Sequence, residues 1–293
     1  MPELDKSKFD FRTPALLGTD KDDPNKLIPV ETNPNTGALL VETPIDLALI
    51  DNANSGYSNR SFGYVFGRNT NVDNVQIDLW EGPTGVYVFP TVGQQMKFVS
   101  SSANDTLAGT GIQKIHIHYL DSNYAVHTET VNMNGTTPVS TVATDIFRIN
   151  AMHAYQVGSG GVAAGNISLT NTGATVTYAY LTAGMNWARQ AIYTVPAGVT
   201  GYITHWQASS GSASGNHFTQ ISLRATCHQG VLLPGVFLLI DEVGTQDGGD
   251  TVNYDIPIRI PAMSDVKISA ISDTSNANVT ALGAIMGFFE TNA

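Results

Sequence analysis

The chain has 293 residues, only 13% of them charged, and fourteen Lys and Arg against twenty-five Asp and Glu leave a net charge of -11. That field repels phosphate backbones, so nucleic acid is not an expected partner. No stretch approaches the roughly 18 uninterrupted apolar residues of a spanning helix, and the charged start MPELDKSKFDF does not read as a signal peptide, so no membrane partner is expected and folding is expected in the cytoplasm. The missing charge is replaced by Gly, Asn, Ser and Thr, a mixture that suits short strands and tight turns. The single cysteine, Cys227, closes no internal disulfide and reads as a small buried thiol.

Residues 1–60 carry Pro14, Pro24, Pro29, Pro34 and Pro44, which remove ladder donors and fix φ. They predict an extended N-terminal arm with short strands such as Ala38–Glu42. An arm of this kind has no core and orders against its own subunit or a neighbour. Leu27, Ile28, Val30, Leu39, Leu40 and Val41 are its expected partner-binding residues.

From about Asn74 the pattern becomes short strands separated by Gly, Asn, Asp or Ser. Gln76–Trp80, Val86–Phe89, Met96–Ser100, Gln113–Leu120 and Tyr124–Met133 form a first series. Asp145–Ile149, Ala154–Val157, Asn166–Leu169 and Thr175–Leu181 form a second. Met185–Ile192 reads as a helical turn, followed in AIYTVPAGVTGYITHWQAS by strand, Pro-Ala-Gly turn and strand. Phe218–Cys227, Val236–Val243, Val252–Ile260, Asp265–Ser272 and Thr280–Phe289 complete the set. Six or seven strands in each half close a sandwich apiece. The expected fold is therefore all-β: an extended arm over 1–60, a first β-sandwich domain over 61–185 and a second, jelly-roll-like β-sandwich domain over 186–293.

Several segments resemble those of structural virion proteins of tailed bacteriophages. The arm carries LIPVETNPNTGALLVET, and the body carries GRNTNVDNVQIDLWEG, VSSSANDTLAGTGIQKIHIHYLDSNYAVHTETVNMNGTTPVST and AGNISLTNTG, similar in order to virion proteins of that class over about residues 27 to 200. YTVPAGVTGYI and the closing VTALGAIMGFFE resemble sandwich domains of phage appendages. The resemblance implies a non-enzymatic virion component assembled in the host cytoplasm. Its class is a capsid-associated decoration, vertex or head-fibre protein, or alternatively a tail or receptor-binding protein contacting host glycan. The implied partners are other virion proteins and copies of itself, with a homotrimer by analogy.

No catalytic or cofactor-binding residue is expected. The richest polar constellation lies in the hairpin QKIHIHYL-DSN-YAVHTETVNM. Alternation places Ile115, Ile117 and Tyr119 on one face and Lys114, His116 and His118 on the other. A turn at Ser122-Asn123 sets His118 opposite His127 and His116 opposite Glu129. His116, His118, His127 and Glu129 are thus candidate ligands for zinc or nickel, with a solvated strand face as the leading reading and no metal as the resulting expectation. A slip of one residue disperses the group. Asp247 and Asp250, and Asp20, Asp22 and Asp23, read as turn residues and not as a calcium loop. SSSANDTLAGTG, with Asp105, reads as a loop. Trp80, Trp187, Trp206, Tyr57 and Tyr64 lie near Gly, Ser or Asn, where they serve as core filling or as anchors for a partner or sugar.

Overall fold

Alternation of apolar and polar residues governs the chain from residue 60 onward, and each strand sinks one face into a core. The computed structural model describes residues 17–19, 27–29, 60–213, 215–275 and 279–292. Two units are distinguished, Met1–Asp51 and Asn52–Ala293. In the first, β1 (Leu17–Thr19) pairs antiparallel with β2 (Leu27–Pro29). Leu27 and Ile28 belong to that ladder, while Val30, Leu39, Leu40, Val41 and the expected strand Ala38–Glu42 lie outside the described residues.

The second unit begins with β3 (Arg60–Val72) and β4 (Ile77–Asp78). Next come β5 (Met96–Ser100), β6 (Ile112–Leu120), β7 (Val126–Asn132), β8 (Val139–Ser140), β9 (Arg148–Val157), β10 (Ile167–Asn171) and β11 (Thr177–Leu181). β12 (Ile192–Thr194), β13 (Val199–Ser212), β14 (Phe218–Ala225), β15 (Cys227–His228) and β16 (Val231–Leu232) follow. The last are β17 (Leu238–Gln246), β18 (Gly248–Ile260), β19 (Asp265–Ser272) and β20 (Val279–Thr291). Among the described residues there is no helix, and so none long and apolar enough to cross a membrane.

Two sandwiches result. In the first, the sheet β11-β10-β5-β8 packs on the sheet β7-β6-β9 over Met96, Phe98, Ile115, Ile117, Met152 and Ile167. In the second, β12-β19-β14-β17 packs on β18-β13-β20-β3 over Trp206, Ile221, Leu223, Ile268, Ile285 and the buried Cys227. Counted by order along the chain, these eight strands run second, seventh, fourth, fifth in one sheet and sixth, third, eighth, first in the other. β4 pairs with β19 at Ser269 and Ala270, continuing the edge where β12 pairs at Asp265 to Lys267.

This connectivity corrects the division into 61–185 and 186–293. β3 pairs along its length with β20, and Val72, Ile77 and Leu79 are buried in the second core. The chain lays down the first strand of the second sandwich, leaves to build the whole first sandwich, and returns at β12. Residues 61–72, expected in the first sandwich and without a strand, belong to β3 of the second; Gly63 and Gly67 interrupt its apolar alternation. Both glycines serve close approach. A Cβ on Gly67 would stand 2.1 Å from the Leu79 carbonyl oxygen and 2.3 Å from the Ala191 nitrogen, and one on Gly63 would stand 2.3 Å from the Phe289 ring.

Other local expectations also shift. Asp145–Ile149 and Ala154–Val157 merge into the single strand β9, and the expected helical turn at Met185–Ile192 is an extended connector bridging His153 at Trp187 and Trp80 at Gln190. Val86–Phe89 forms no strand; Tyr87 packs with Trp80 and Ile192 in a small third core. Trp80 and Trp206 are buried core residues, Trp187 and Tyr64 are exposed, and Tyr57 lies outside the described residues. Asp247 takes φ +51 between β17 and β18 and accepts from the Ser212 amide at 2.8 Å. Asp250 caps Thr251 at 2.7 Å. Asp247 acts as a turn residue as expected, whereas Asp250 lies within β18 opposite Ala208 and not in a turn.

Two buried polar knots complete the architecture. Asp105 is fully buried and accepts from the Ser100 hydroxyl (2.6 Å) and from the amides of Ile112 (2.7 Å), Ala164 (2.9 Å) and Gly165 (2.9 Å). The Ser-rich loop is therefore pinned within the first sandwich, its carboxylate lone pairs satisfied as burial requires. Between the sandwiches, Arg148 on β9 donates in bidentate fashion to Asp265 on β19, at 2.9 and 3.1 Å, and to the Pro90 carbonyl at 2.7 Å. Its guanidinium lies over the Phe147 ring, 4.0 Å from the centroid. Thr194 donates a further 2.6 Å bond to Asp265. Planar fork geometry suits Arg to this buried pairing.

Candidate metal centre

The sheet β7-β6-β9 turns Ile115 and Ile117 into the core, which leaves His116 and His118 on the outer face. What joins them there depends on register. β6 pairs with β7 so that His116 stands opposite Thr130, His118 opposite Thr128, Ile117 opposite Glu129 and Tyr119 opposite His127. The expected set is therefore dispersed: His127 and Glu129 occupy the other parity, one residue out of step.

The cause is the turn. Leu120 pairs with Val126, so the loop spans Asp121 to Ala125 and not Ser122-Asn123 alone. The Asp121 carboxylate accepts from the amides of Asn123 (2.8 Å) and Ala125 (2.9 Å), and Tyr124 adopts φ +60. These bonds, led by that from Ala125 and followed by the contact with His127, hold the Asp121 carboxyl below its ordinary range. His127 lies 3.2 Å from Asp121, and Glu129 accepts from the amides of Val142 (2.6 Å) and Ala143 (3.0 Å). Both have local structural work.

A different third histidine arrives from the opposite neighbour. β9 sets His153 directly across from His116, and ligand atoms of His116, His118 and His153 all lie within 4.8 Å of one another. Ring centroids are 4.9 Å apart for His116–His118, 5.1 Å for His116–His153 and 5.7 Å for His118–His153. His153 Nδ1 donates to the Ala154 carbonyl at 2.9 Å, which leaves the Nε2 lone pair available. His116 Nδ1 lies 2.7 Å from the Thr130 hydroxyl. Trp187 stacks on His153 at 5.0 Å with rings only 9° from parallel, and Tyr155 flanks His116 at 5.8 Å.

All three histidines are half-buried. Burial, then the neighbouring imidazoles His118 and His153, push the His116 pKa down; burial, then His153, does the same for His118. These rings are thereby held neutral, the form that ligates metal. His118 also borders an open groove of about 310 Å³ lined by Val126, Ala151 and Trp187 and by Phe62 and Tyr64 of β3.

Sequence reasoning missed His153 because it split β9 in two. Reading Arg148 to Val157 as one strand would have placed His153 on the face of Ala151 and Tyr155, though not opposite His116.

No protein-family model matches the chain, and no curated protein matches it. Among solved structures, the infectious bursal disease virus VP2 subviral particle aligns over 80% of this chain and 72% of that chain at 10% identity, with a TM-score of 0.13. A likeness at that score carries no argument.

Proposed function

We propose that the chain is a structural, non-enzymatic component of a tailed-phage virion, a capsid-associated decoration, vertex or head-fibre protein assembled in the host cytoplasm. The observation that carries the reading is the surface of the two sandwiches. In a chain with 13% charged residues, large apolar side chains project from described strands and loops, among them Ile256 (84% exposed), Val142 (87%) and Tyr155 (64%). Such groups favour burial against other protein copies. The connectivity of the second sandwich supports the same reading: we read its eight-strand order as a jelly roll, an architecture recurrent in capsid and lectin domains. Fold alone does not assign function, so the ordered phage-like segments of the sequence carry the remainder.

In this proposal residues 1–60 dock on the shell, Leu27 and Ile28 among the contacts, and the sandwiches face outward as a homotrimer. An arm of that length is able to bury an interface beyond about 1,600 Å². Deleting residues 1–45 is expected to abolish incorporation into particles while the Asn52–Ala293 unit keeps its strand circular dichroism. A truncated chain that still decorates particles at full occupancy overturns the docking role. Trp187, 54% exposed, favours a second reading, receptor binding through stacking on a glycan. Binding of the purified protein to host cells, with about a dozen copies per particle or fewer, would select it over the shell protein.

A further inference from the structure

We propose that His116, His118 and His153 form a three-imidazole site for a zinc-class divalent cation, with a coordination position left open on the outer face of the β7-β6-β9 sheet. Three independent features of the structure converge on it.

The ligands sit on rigid elements. Two come from the central strand at a two-residue interval and the third from the strand hydrogen-bonded beside it, so the backbone presets their spacing before any ion arrives. Tetrahedral Zn–N bonds of about 2.0–2.1 Å hold nitrogens roughly 3.3 Å apart. The present separations of up to 4.8 Å leave about 1.5 Å for side-chain rotation to close.

Two of the three ligands also have their outer shell in place. A ligating histidine ordinarily anchors its second nitrogen to a carbonyl or other oxygen. His153 does so through the Ala154 carbonyl and His116 through the Thr130 hydroxyl. The parallel Trp187 ring fixes the plane of His153. That ring is itself positioned by backbone bonds on either side of it, from the Ala154 amide to the Asn186 carbonyl (2.8 Å) and from the Ala188 amide to the Met152 carbonyl (2.9 Å).

The donor set selects the ion. Three imidazole nitrogens suit Zn(II), Co(II), Ni(II) and Cu(II), whereas calcium and magnesium demand oxygen. With no carboxylate in the cluster, the bound ion keeps its positive charge, and the open position takes water or an anionic oxygen.

Full-length protein stripped with a chelator and titrated with Co(II) is expected to bind one ion per chain and to develop visible d–d bands that Zn(II) abolishes by displacement. His118→Gln and His153→Gln are each expected to weaken Co(II) binding about 100-fold or more, and Thr130→Val, which spares every ligand, about 10-fold. His127→Gln is expected to leave binding unchanged. Should a ligand variant fail to fold, the Co(II)-loaded native protein still decides the matter, because its proton spectrum should contain hyperfine-shifted imidazole signals from three histidines. Absence of binding at micromolar Co(II), fewer than three shifted imidazoles, or loss of binding in His127→Gln overturns the site.

Discussion

The two sandwiches are built by opposite routes. The first is a continuous stretch of chain whose central pairing, β6 with β7, is a hairpin closed by five residues, and whose β10 and β11 are near neighbours in sequence. The second assembles from both ends of its unit: β3 at Arg60 to Val72 pairs with β20 at Val279 to Thr291, and β13 threads between β20 and β18. Local pairings cost little loop entropy and form readily, whereas the closing pairs of the second sandwich wait until almost the entire chain is in place. The first sandwich is thus an insertion that must fold without displacing the strand its host has already laid down, and the Arg148–Asp265 pair ties the two together once both exist.

That contrast suggests experiments on the join and on each sandwich in turn. Arg148→Met removes the cation but leaves Asp265 buried, a change expected to cost about 3–5 kcal/mol. It should split one denaturant transition into two, monitored by Trp206 in the second core and by near-ultraviolet dichroism; a single unshifted transition would mean that packing and not the ion pair couples them. Asp105→Ala strands a hydroxyl and three amides inside the first sandwich. We expect about 3 kcal/mol of destabilisation from the unmet donors, with hydrogen exchange accelerating in β5 and β6 and leaving β13 and β20 protected. Uniform acceleration across both sandwiches would refute independent folding of the insertion. Gly67→Ala forces a methyl against the Leu79 and Ala191 backbones and should cost about 1–3 kcal/mol. Its exchange signature is the reverse, loosening β3 and β20 while sparing β6 and β9.

Legibility followed the same division. Met96–Ser100 matches its expected span to the residue, and the inward face of Ile115, Ile117 and Tyr119 is as alternation implied. β3 was not legible, because a glycine needed for close approach and a glycine needed for a turn look alike in one dimension. The histidine cluster was half legible. His116 and His118 share a face by arithmetic, but the exclusion of His127 and Glu129 depended on a loop whose length the Asp121 carboxylate sets, and the arrival of His153 on the separate register of β6 with β9. Asp at the head of DSNYA is a signal for such a turn, and it would have excluded His127 and Glu129 without finding His153.

By itself the sequence determined the all-β class, the faces of individual strands and the chemical inventory of the surface, since period-two alternation, turn residues and charge content are local properties that each segment carries alone. Tertiary structure alone decided which strands became neighbours, that the first sandwich interrupts the second, and that His153 stands beside His116. Those outcomes depend on register and on pairings between distant segments, where a shift of one residue exchanges the two faces of a strand and the free energy that chooses among partners comes from the shared core rather than from either strand.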